Sequence, residues 1–315
     1  MTRLRVATYN VYLGADLTLI FGVRSTAHLL EQSRLVYEQL VGTDFPTRAE
    51  AIARLIVRER IDVIGLQEVA RWSMSALDRD GSQSEPELWC DFLAELLDAL
   101  SRLEMEYDAH ATNSNFHGGS AISAQQAMSV LGYNVILVRR DSGVDVTGSA
   151  TGTFKASLDI ATGIDDLVLN IPRSWGWVDA TLGGTAFRFV NTHTEAYDAD
   201  TRDAQRDELL REVGDPANPV VIVGDFNSGP GMVGMPALYV DAWTAGEGEG
   251  PGDTCGQDAD LANAGSLLAE RIDYIWVRDA AVVSCKVIGD LDTDRTRRGR
   301  LWPSDHACVM SELRL

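Results

Sequence analysis

The sequence predicts an α/β fold in which strands and helices interleave along the whole chain. Three observations predict it. Residues 47–58 carry apolar positions at helical spacing and run directly into an apolar strand at 61–66, the helix-then-strand order of α/β folds. The same order returns in a charged helix, residues 201–213, followed by the buried strand PVVIV at 219–223. With 45 % hydrophobic and 23 % charged residues in a chain of 315, the composition supports a substantial core.

Taken in order, residues 4–9 alternate apolar and polar side chains and read as a strand. Residues 13–44 form a long stretch with helical pieces, and within it 27–40 places Leu30, Leu35, Val36 and Leu40 at roughly helical spacing. Thr47-Arg48-Ala49-Glu50 has the pattern of a capping box. The next helix is expected to open there, with Ile52, Leu55 and Ile56 on its apolar face and Arg58 in its last turn. Residues 79–87, polar and rich in Ser and Gly, read as a loop, and 88–103 as a helix with Leu93, Leu96, Leu97 and Leu100 on one face. Residues 113–119 read as a polar loop, 134–138 as a strand and 142–152 as turn-rich. Residues 177–182 and 185–192 read as strands joined by Gly183-Gly184, a hairpin signal. After a Gly/Glu loop at 246–252, residues 272–277 and 281–287 are late strands, and a last strand begins near Ala307. No repeat or linker interrupts this alternation, so residues 1–315 are expected to form a single domain.

Lys and Arg number 27 against 47 Asp and Glu, a formal net charge of −20. Duplex binding gains affinity by neutralising phosphates with basic side chains, so this balance disfavours long nucleic acid. A dense carboxylate set suits a divalent cation. No run of about 18 apolar residues occurs, and no membrane-spanning helix is expected. The N-terminus lacks the apolar core and cleavage site of a secretory leader. A cytoplasmic protein is therefore expected, or a secreted one if a leader has been removed, and a monomer. The four cysteines, Cys90, Cys255, Cys285 and Cys308, include no CxxC pair, which argues against zinc. Cys255 and Cys285 bracket one segment and are able to pair in an exported protein; four separate thiols are the equal alternative.

Polar residues gather where apolar strands end. Asn10 follows RVATY, Gln67-Glu68 follows IDVIGL, and His193 follows FRFVNT. Asp225 and Asn227 follow VVIVG, Asp273 lies in RIDYIWV, and Asp305-His306 precedes ACVMSEL. Strand ends are where α/β folds collect their sites. Each residue alone reads as readily as a turn residue, a helix cap or a hydrogen-bonded structural histidine. The combination and its order carry the signal.

The ordered set TYN, LQEV, NTH, GDFN, RIDYIWV and SDH resembles the endonuclease/exonuclease/phosphatase superfamily, which includes pancreatic-type deoxyribonuclease, abasic-site endonucleases, inositol polyphosphate 5-phosphatases and neutral sphingomyelinases. The matching segments run from residue 5 to about 313. The resemblance implies a four-layer α/β/β/α sandwich, with two mixed β-sheets face to face, helices outside, and a site where strand-end loops of both sheets meet. It implies a metal-dependent phosphoric ester hydrolase using Mg²⁺, with Mn²⁺ able to substitute. By the same resemblance Glu68 is a metal ligand, with Asn10 and Asp305 beside the metal. Asp225 orients or deprotonates the attacking water, and Asn227 sets its amide against the phosphoryl group. His306 donates to a non-bridging oxygen while Asp273 holds its other ring nitrogen. His193 matches a second histidine of deoxyribonuclease-like and sphingomyelinase-like members. It would protonate the leaving oxygen, which favours a diester.

The substrate is read less directly. Residues 14–45 are a long addition between Asn10 and Glu68 and include Leu17, Leu19, Ile20 and Phe21. They are expected either to cover the site as an apolar lid, suiting a lipid or aromatic ester, or to pack on the outer layer. Trp72, Trp175, Trp177 and Trp302 lie near the motifs and are expected to line a pocket or fill the core. Arg295, Arg297, Arg298 and Arg300 stand just before Asp305. Arg298 and Arg300, with Arg173, are candidates for an anionic substrate group; a solvated loop is the alternative. A small-molecule or lipid phosphodiester is the expected substrate, with a nuclease, a phosphomonoesterase or a non-catalytic binding module as alternatives.

Overall fold

The computed structural model describes residues 2–164 and 167–315. Strand β1 (Arg3–Asn10) is followed by helices α1 (Thr26–Gly42) and α2 (Phe45–Glu59), then β2 (Val63–Ala76), β3 (Glu87–Asp91), α3 (Phe92–Arg102), β4 (Tyr107–Ala121), β5 (Gln126–Arg139) and β6 (Val144–Thr153). A small hairpin of β7 (Leu158–Ala161) and β8 (Val168–Ile171) precedes β9 (Ser174–Leu182), β10 (Thr185–His193), α4 (Ala199–Val213) and β11 (Val220–Asp225). The chain ends with β12 (Val240–Asp241), α5 (Ala242–Ala245), β13 (Asp273–Arg278), β14 (Ala281–Ile288) and β15 (Cys308–Arg314).

These strands form two large mixed sheets. The 7-stranded sheet runs β14-β15-β1-β2-β5-β4, with β3 paired to β2, and the 6-stranded sheet runs β12-β13-β11-β10-β9-β6. Each has a parallel pair at its centre, β1 with β2 and β10 with β11. Side-chain parity builds the layers. In β1, Leu4 and Val6 enter a core shared with Phe187, Phe189, Val221 and Val223 of the other sheet. Ala7 and Tyr9 point the other way, toward Val36, Ile52 and Leu96 of α1, α2 and α3. On the far side, Val190, Val220 and Ile222 pack against Leu209 and Val213 of α4. The result is the helix, sheet, sheet, helix sandwich that the resemblance implies. The sheets meet closely at Gly65, where a Cβ would come within 2.7 Å of Asn191 and Val223. Gly183 and Gly184 both take positive φ, 58° and 85°, as the tight β9–β10 hairpin requires.

Several local readings are corrected. Helix α2 opens at Phe45, not at Thr47: Asp44 is its N-cap, Pro46 lies in its first turn, and Thr47 Oγ1 donates back to Asp44 Oδ2. Residues 88–91 belong to β3, and α3 starts after Asp91, which accepts from the backbone N–H of Leu93 and Ala94. The stretches read as a polar loop and as turn-rich are the long strands β4 and β6. Both are edge strands with a solvated face, so neither shows the apolar run that marks a buried strand. All four cysteines are free, with Cys285 in the core between the sheets, so Cys255 and Cys285 are not paired. Trp175, Trp177 and Trp302 pack in hydrophobic clusters. Among the described residues no helix is long and apolar enough to cross a membrane.

Candidate active site

The inward parity of the central strands continues past the apolar core into polar residues at one end of the sandwich. It runs Leu4, Val6, Thr8, Asn10 in β1 and Val221, Val223, Asp225 in β11. It runs Phe187, Phe189, Asn191, His193 in β10 and Val277, Ile275, Asp273 in β13. Just beneath the site the two sheets are stapled by buried amides. Gln67 Nε2 donates to Asn191 Oδ1 (2.6 Å) and Thr8 Oγ1 (3.0 Å), while Asn191 Nδ2 donates to the carbonyls of Leu66 (3.0 Å) and Val135 (3.1 Å). Each amide is satisfied only if the sheets hold this register.

Asn10 joins the carboxylates. Its Nδ2 donates to Glu68 Oε1 (3.2 Å) and Asp225 Oδ2 (3.1 Å), and its Oδ1 accepts from the Tyr12 N–H (3.0 Å). Glu68 Oε2 accepts from the Leu13 N–H (3.0 Å). Glu68 stands at a bulge in the β2–β5 pairing, with φ 55°. A bulge re-aims a side chain out of the regular pleat, and here Glu68 lines the cavity instead of following the alternation. Tyr12 (φ 55°) and Asn227 (φ 46°) share this left-handed conformation, a clustering of backbone strain typical of functional sites. Asp305 is fixed from behind by Ser304, whose hydroxyl donates to the Asn10 carbonyl (2.7 Å) and contacts Asp305 Oδ1 (3.2 Å). Burial, reinforced by the nearby Glu68 and opposed by His306, pushes the Asp305 carboxyl up to about 6.

The two histidines stand on either side of Asp225, with Nε2 of His193 3.5 Å and Nε2 of His306 3.8 Å from its Oδ2. Burial and the Asp273 carboxylate push Asp225 up to about 7 against the pull of His306, Asn10 and the Asn227 N–H. His306 Nδ1 meets Asp273 Oδ2 at 2.8 Å. Burial alone would drive its proton off, but Asp273, with Asp305 behind it, holds His306 well above the ordinary imidazole range. His193 has the opposite environment. Burial, then the Arg173 guanidinium, then His306 hold it well below that range. Arg173 Nη1 lies 3.2 Å from both His193 ring nitrogens, and Arg173 Nε is 3.7 Å from the buried Glu195.

Glu68, Asp305, His193 and Arg173 all open onto a cavity of about 720 Å³. Of the residues singled out by sequence, the structure brings together Asn10, Glu68, Arg173, His193, Asp225, Asp273, Asp305 and His306. Asn227 is adjacent, but its backbone is left-handed, and its side-chain amide donates to the Thr194 carbonyl at 3.0 Å and not toward the cavity side expected of it. Arg298 and Arg300 are corrections. Both are exposed and neither lines the cavity, and Arg300 is spent on Asp292 at 2.6 Å. Arg295 folds inward over Trp302 and donates to the Ala264 carbonyl, so this arginine run builds a loop.

Sequence reasoning missed Arg48 altogether. It is fully buried and donates to the carbonyls of Val11 (2.8 Å), Tyr12 (3.0 Å), Thr43 (2.9 Å) and Pro303 (2.9 Å). One side chain thereby ties the loop after Asn10 to the loop before Asp305. Its only sequence signal is an arginine on the apolar face of α2, beside Ile52 and Leu55. Glu195, Gln67 and Asn191 were also missed as supports; all three are small departures inside or next to recognised motifs.

The comparisons agree with this architecture. No curated protein matches the sequence. Among solved structures, truncated TDP2 from Caenorhabditis elegans superposes with a TM-score of 0.60 at 18 % identity, covering 99 % of this chain and 98 % of that one. A mannosyl-6-phosphatase from Bacteroides thetaiotaomicron gives a TM-score of 0.60 at 21 % identity, covering 99 % and 100 %. TDP2 from D. rerio, complexed with a single-strand DNA product, gives 0.60 at 16 %, covering 100 % of each chain. The profile of the endonuclease/exonuclease/phosphatase family matches residues 7–306. The chain belongs to the endonuclease/exonuclease/phosphatase family of phosphoric ester hydrolases.

Proposed function

We propose that this protein is a Mg²⁺-dependent phosphodiesterase acting on a small-molecule or lipid-like phosphate ester. The observation that carries the reading is the single cavity onto which two carboxylates, a guanidinium and an imidazole converge, with Asp225 and a second imidazole directly behind.

Two donor sets compete for a cation. Asp225, Asp273 and His306 place ligand atoms within 4.8 Å of one another. That trio suits a proton relay better, because His306 Nδ1 is already bound to Asp273 and the ring is held cationic. Glu68 and Asp305 offer oxygen donors that face the cavity, as Mg²⁺ requires. Arg48 is committed to four carbonyls, and burial close to Glu68 pushes the Asp305 carboxyl up to about 6. Glu68 and Asp305 would therefore hold the ion. Asn10 would orient Glu68 instead of ligating, since its Oδ1 is taken by the Tyr12 N–H. A bound divalent ion would neutralise phosphoryl oxygen charge and favour attack on phosphorus.

The chain's own groups supply the rest. Asp225, poised near neutrality, accepts the proton of the attacking water as the new P–O bond forms. His306, cationic, hands its proton to the departing oxygen as the ester P–O bond breaks, and Asp225 returns a proton to it afterwards. Arg173 receives a non-bridging oxygen. His193 is revised from acid to neutral hydrogen-bonding partner, because burial first, and then Arg173 beside it, disfavour an imidazolium. Asn227 holds Asp225 through its backbone N–H at 2.9 Å.

Small esters are favoured over nucleic acid by the net charge of −20 and by walls from residues 13–36 and from β8 around the cavity. A second reading, processing of DNA ends, is favoured by the likeness to TDP2 bound to a single-strand DNA product. The mannosyl-6-phosphatase, with the same TM-score of 0.60, keeps a monoester open. The test is one panel of bis-p-nitrophenyl phosphate, p-nitrophenyl phosphate, a sphingomyelin-type lipid, and single- and double-stranded DNA, each with Mg²⁺, Mn²⁺, Ca²⁺ or EDTA. The expected result is EDTA-sensitive cleavage of a diester other than DNA, lost in Glu68→Gln. Preference for DNA, or normal turnover by Glu68→Gln, overturns the reading.

A further inference from the structure

We propose that the branch of the cavity beneath α1 is a second subsite, which takes an apolar arm of the substrate and reads one hydrogen-bonding atom on that arm through Ser33. The inference rests on the phosphodiesterase reading and extends it to a second recognition element.

The cavity continues well beyond the charged residues. Leu29, Ser33 and Val36 stand at helical spacing on α1 and line one wall, facing Trp72, Met128 and Val130 on the helix-side face of the first sheet. The segment before α1 adds Leu17, Ile20 and Phe21, and β8 adds Leu169 and Ile171. Phe21 closes edge-on against Tyr197 at 5.3 Å, joining this wall to the loop that follows His193. Within the addition at residues 14–45, Val36 and Leu40 pack into the outer core, and residues from Ala15 to Val36 contribute to the cavity lining.

Polar atoms in this compartment are accounted for, with one exception at each end. Trp72 Nε1 donates to the Leu13 carbonyl at 2.9 Å, and Asn115 pairs with Asn134 at 2.9 Å. Among the described residues that line the cavity, only Arg173 and Ser33 have a buried side-chain polar atom without a hydrogen-bond partner. Arg173 belongs to the phosphoryl end. Ser33 interrupts the Leu29, Val36, Leu40 stripe, is 0 % exposed, and does not bond back to its own helix as buried helical serines commonly do. A buried hydroxyl is ordinarily paired. Ser33 also lines an apolar cavity continuous with the phosphoester site, so its unpaired hydroxyl fits a carbonyl or hydroxyl carried in by the ligand. The chemistry that meets both ends is a phosphodiester with an alkyl arm bearing one such group.

Two measurements separate this inference from the reading beneath it. Calorimetry with octyl phosphate and methyl phosphate, in Mg²⁺, tests the chamber without turnover; octyl phosphate is expected to bind at least roughly tenfold tighter, and Leu29→Trp to erase that ratio. Kinetics with p-nitrophenyl diesters of matched arm length, one plain alkyl and one bearing an ester carbonyl, tests Ser33. Wild type is expected to favour the carbonyl arm several-fold in kcat/KM, Ser33→Thr to keep the preference, and Ser33→Ala to lose it. Equal binding of octyl and methyl phosphate, or an arm preference that survives Ser33→Ala, overturns the subsite. Tight octyl phosphate binding without cleavage of methyl p-nitrophenyl phosphate under any metal leaves the subsite standing and removes the proposed function. Cleavage of methyl p-nitrophenyl phosphate without arm discrimination does the reverse.

Discussion

His193 and His306 flank the same aspartate, are both buried, and differ in what stands behind them. Asp273 backs His306, and Arg173 backs His193. One ring is thereby held cationic and the other neutral. Two equal imidazoles would compete for one role. Opposite partners divide the work, giving a proton donor on one side and a neutral hydrogen-bonding ring beside a permanent cation on the other. The difference lies in neighbours contributed by distant segments, β13 for one and the residues before β9 for the other.

The difference between the two rings should vanish most visibly when the carboxylate is removed. Asp273→Asn should lower kcat by on the order of 10³. The alkaline limb of the pH profile should move to lower pH, because His306 then loses its proton sooner. Arg173→Gln should lower kcat/KM roughly 10²-fold. Its acid limb should move upward, since His193 would gain a proton at a pH where it is now neutral. In metal-free protein the raised groups, Asp225 at about 7 and Asp305 at about 6, bind protons that the unfolded chain releases. Stability from these groups is full below the unfolded carboxyl range, about 4, and is lost as pH rises through 6 to 7. His306, also raised, has the same sign and loses its contribution above its folded value; depressed His193 works the other way, costing stability as pH falls below about 6.5. Thermal melts in EDTA should therefore fall between pH 5 and 8, and Mg²⁺ should raise Tm by more at pH 8 than at pH 5. The smallest effect is expected outside the cavity. Replacing Arg298 and Arg300 together by Ala should change kcat/KM by less than about twofold, since exposed ion pairs contribute little; a larger loss would return them to the site.

Much of this was legible in the order of strand-end residues, because inward parity in β1, β10 and β11 carries apolar core positions directly into Asn10, His193 and Asp225. The hairpin at Gly183-Gly184 was legible for the same local reason. Edge strands β4 and β6 were not, since a strand solvated on one face need not be apolar. The helix start at Phe45 was hidden because Thr47 and Glu50 imitate a capping box, while the true N-cap, Asp44, is left-handed and makes no side-chain bond to the helix backbone. The charge state of His193 was invisible in sequence, where nothing places Arg173 against it. Arg298 and Arg300 misled because nearness to Asp305 along the chain does not set the direction of a side chain, and their loop turns outward while Arg295 turns in. Arg48 depends on four carbonyls from three separate segments, a relation no local pattern expresses.

The division of labour is tested most directly by long-range ¹H–¹⁵N spectra of ¹⁵N-histidine-labelled, metal-free protein across pH 5 to 9, with His193→Gln and His306→Gln to assign the rings. His306 is expected to hold its proton to a pH above the ordinary imidazole range, and His193 to stay neutral until the pH falls well below that range. Two rings titrating together near 6.5, or His193 charged while His306 is neutral, would contradict this division.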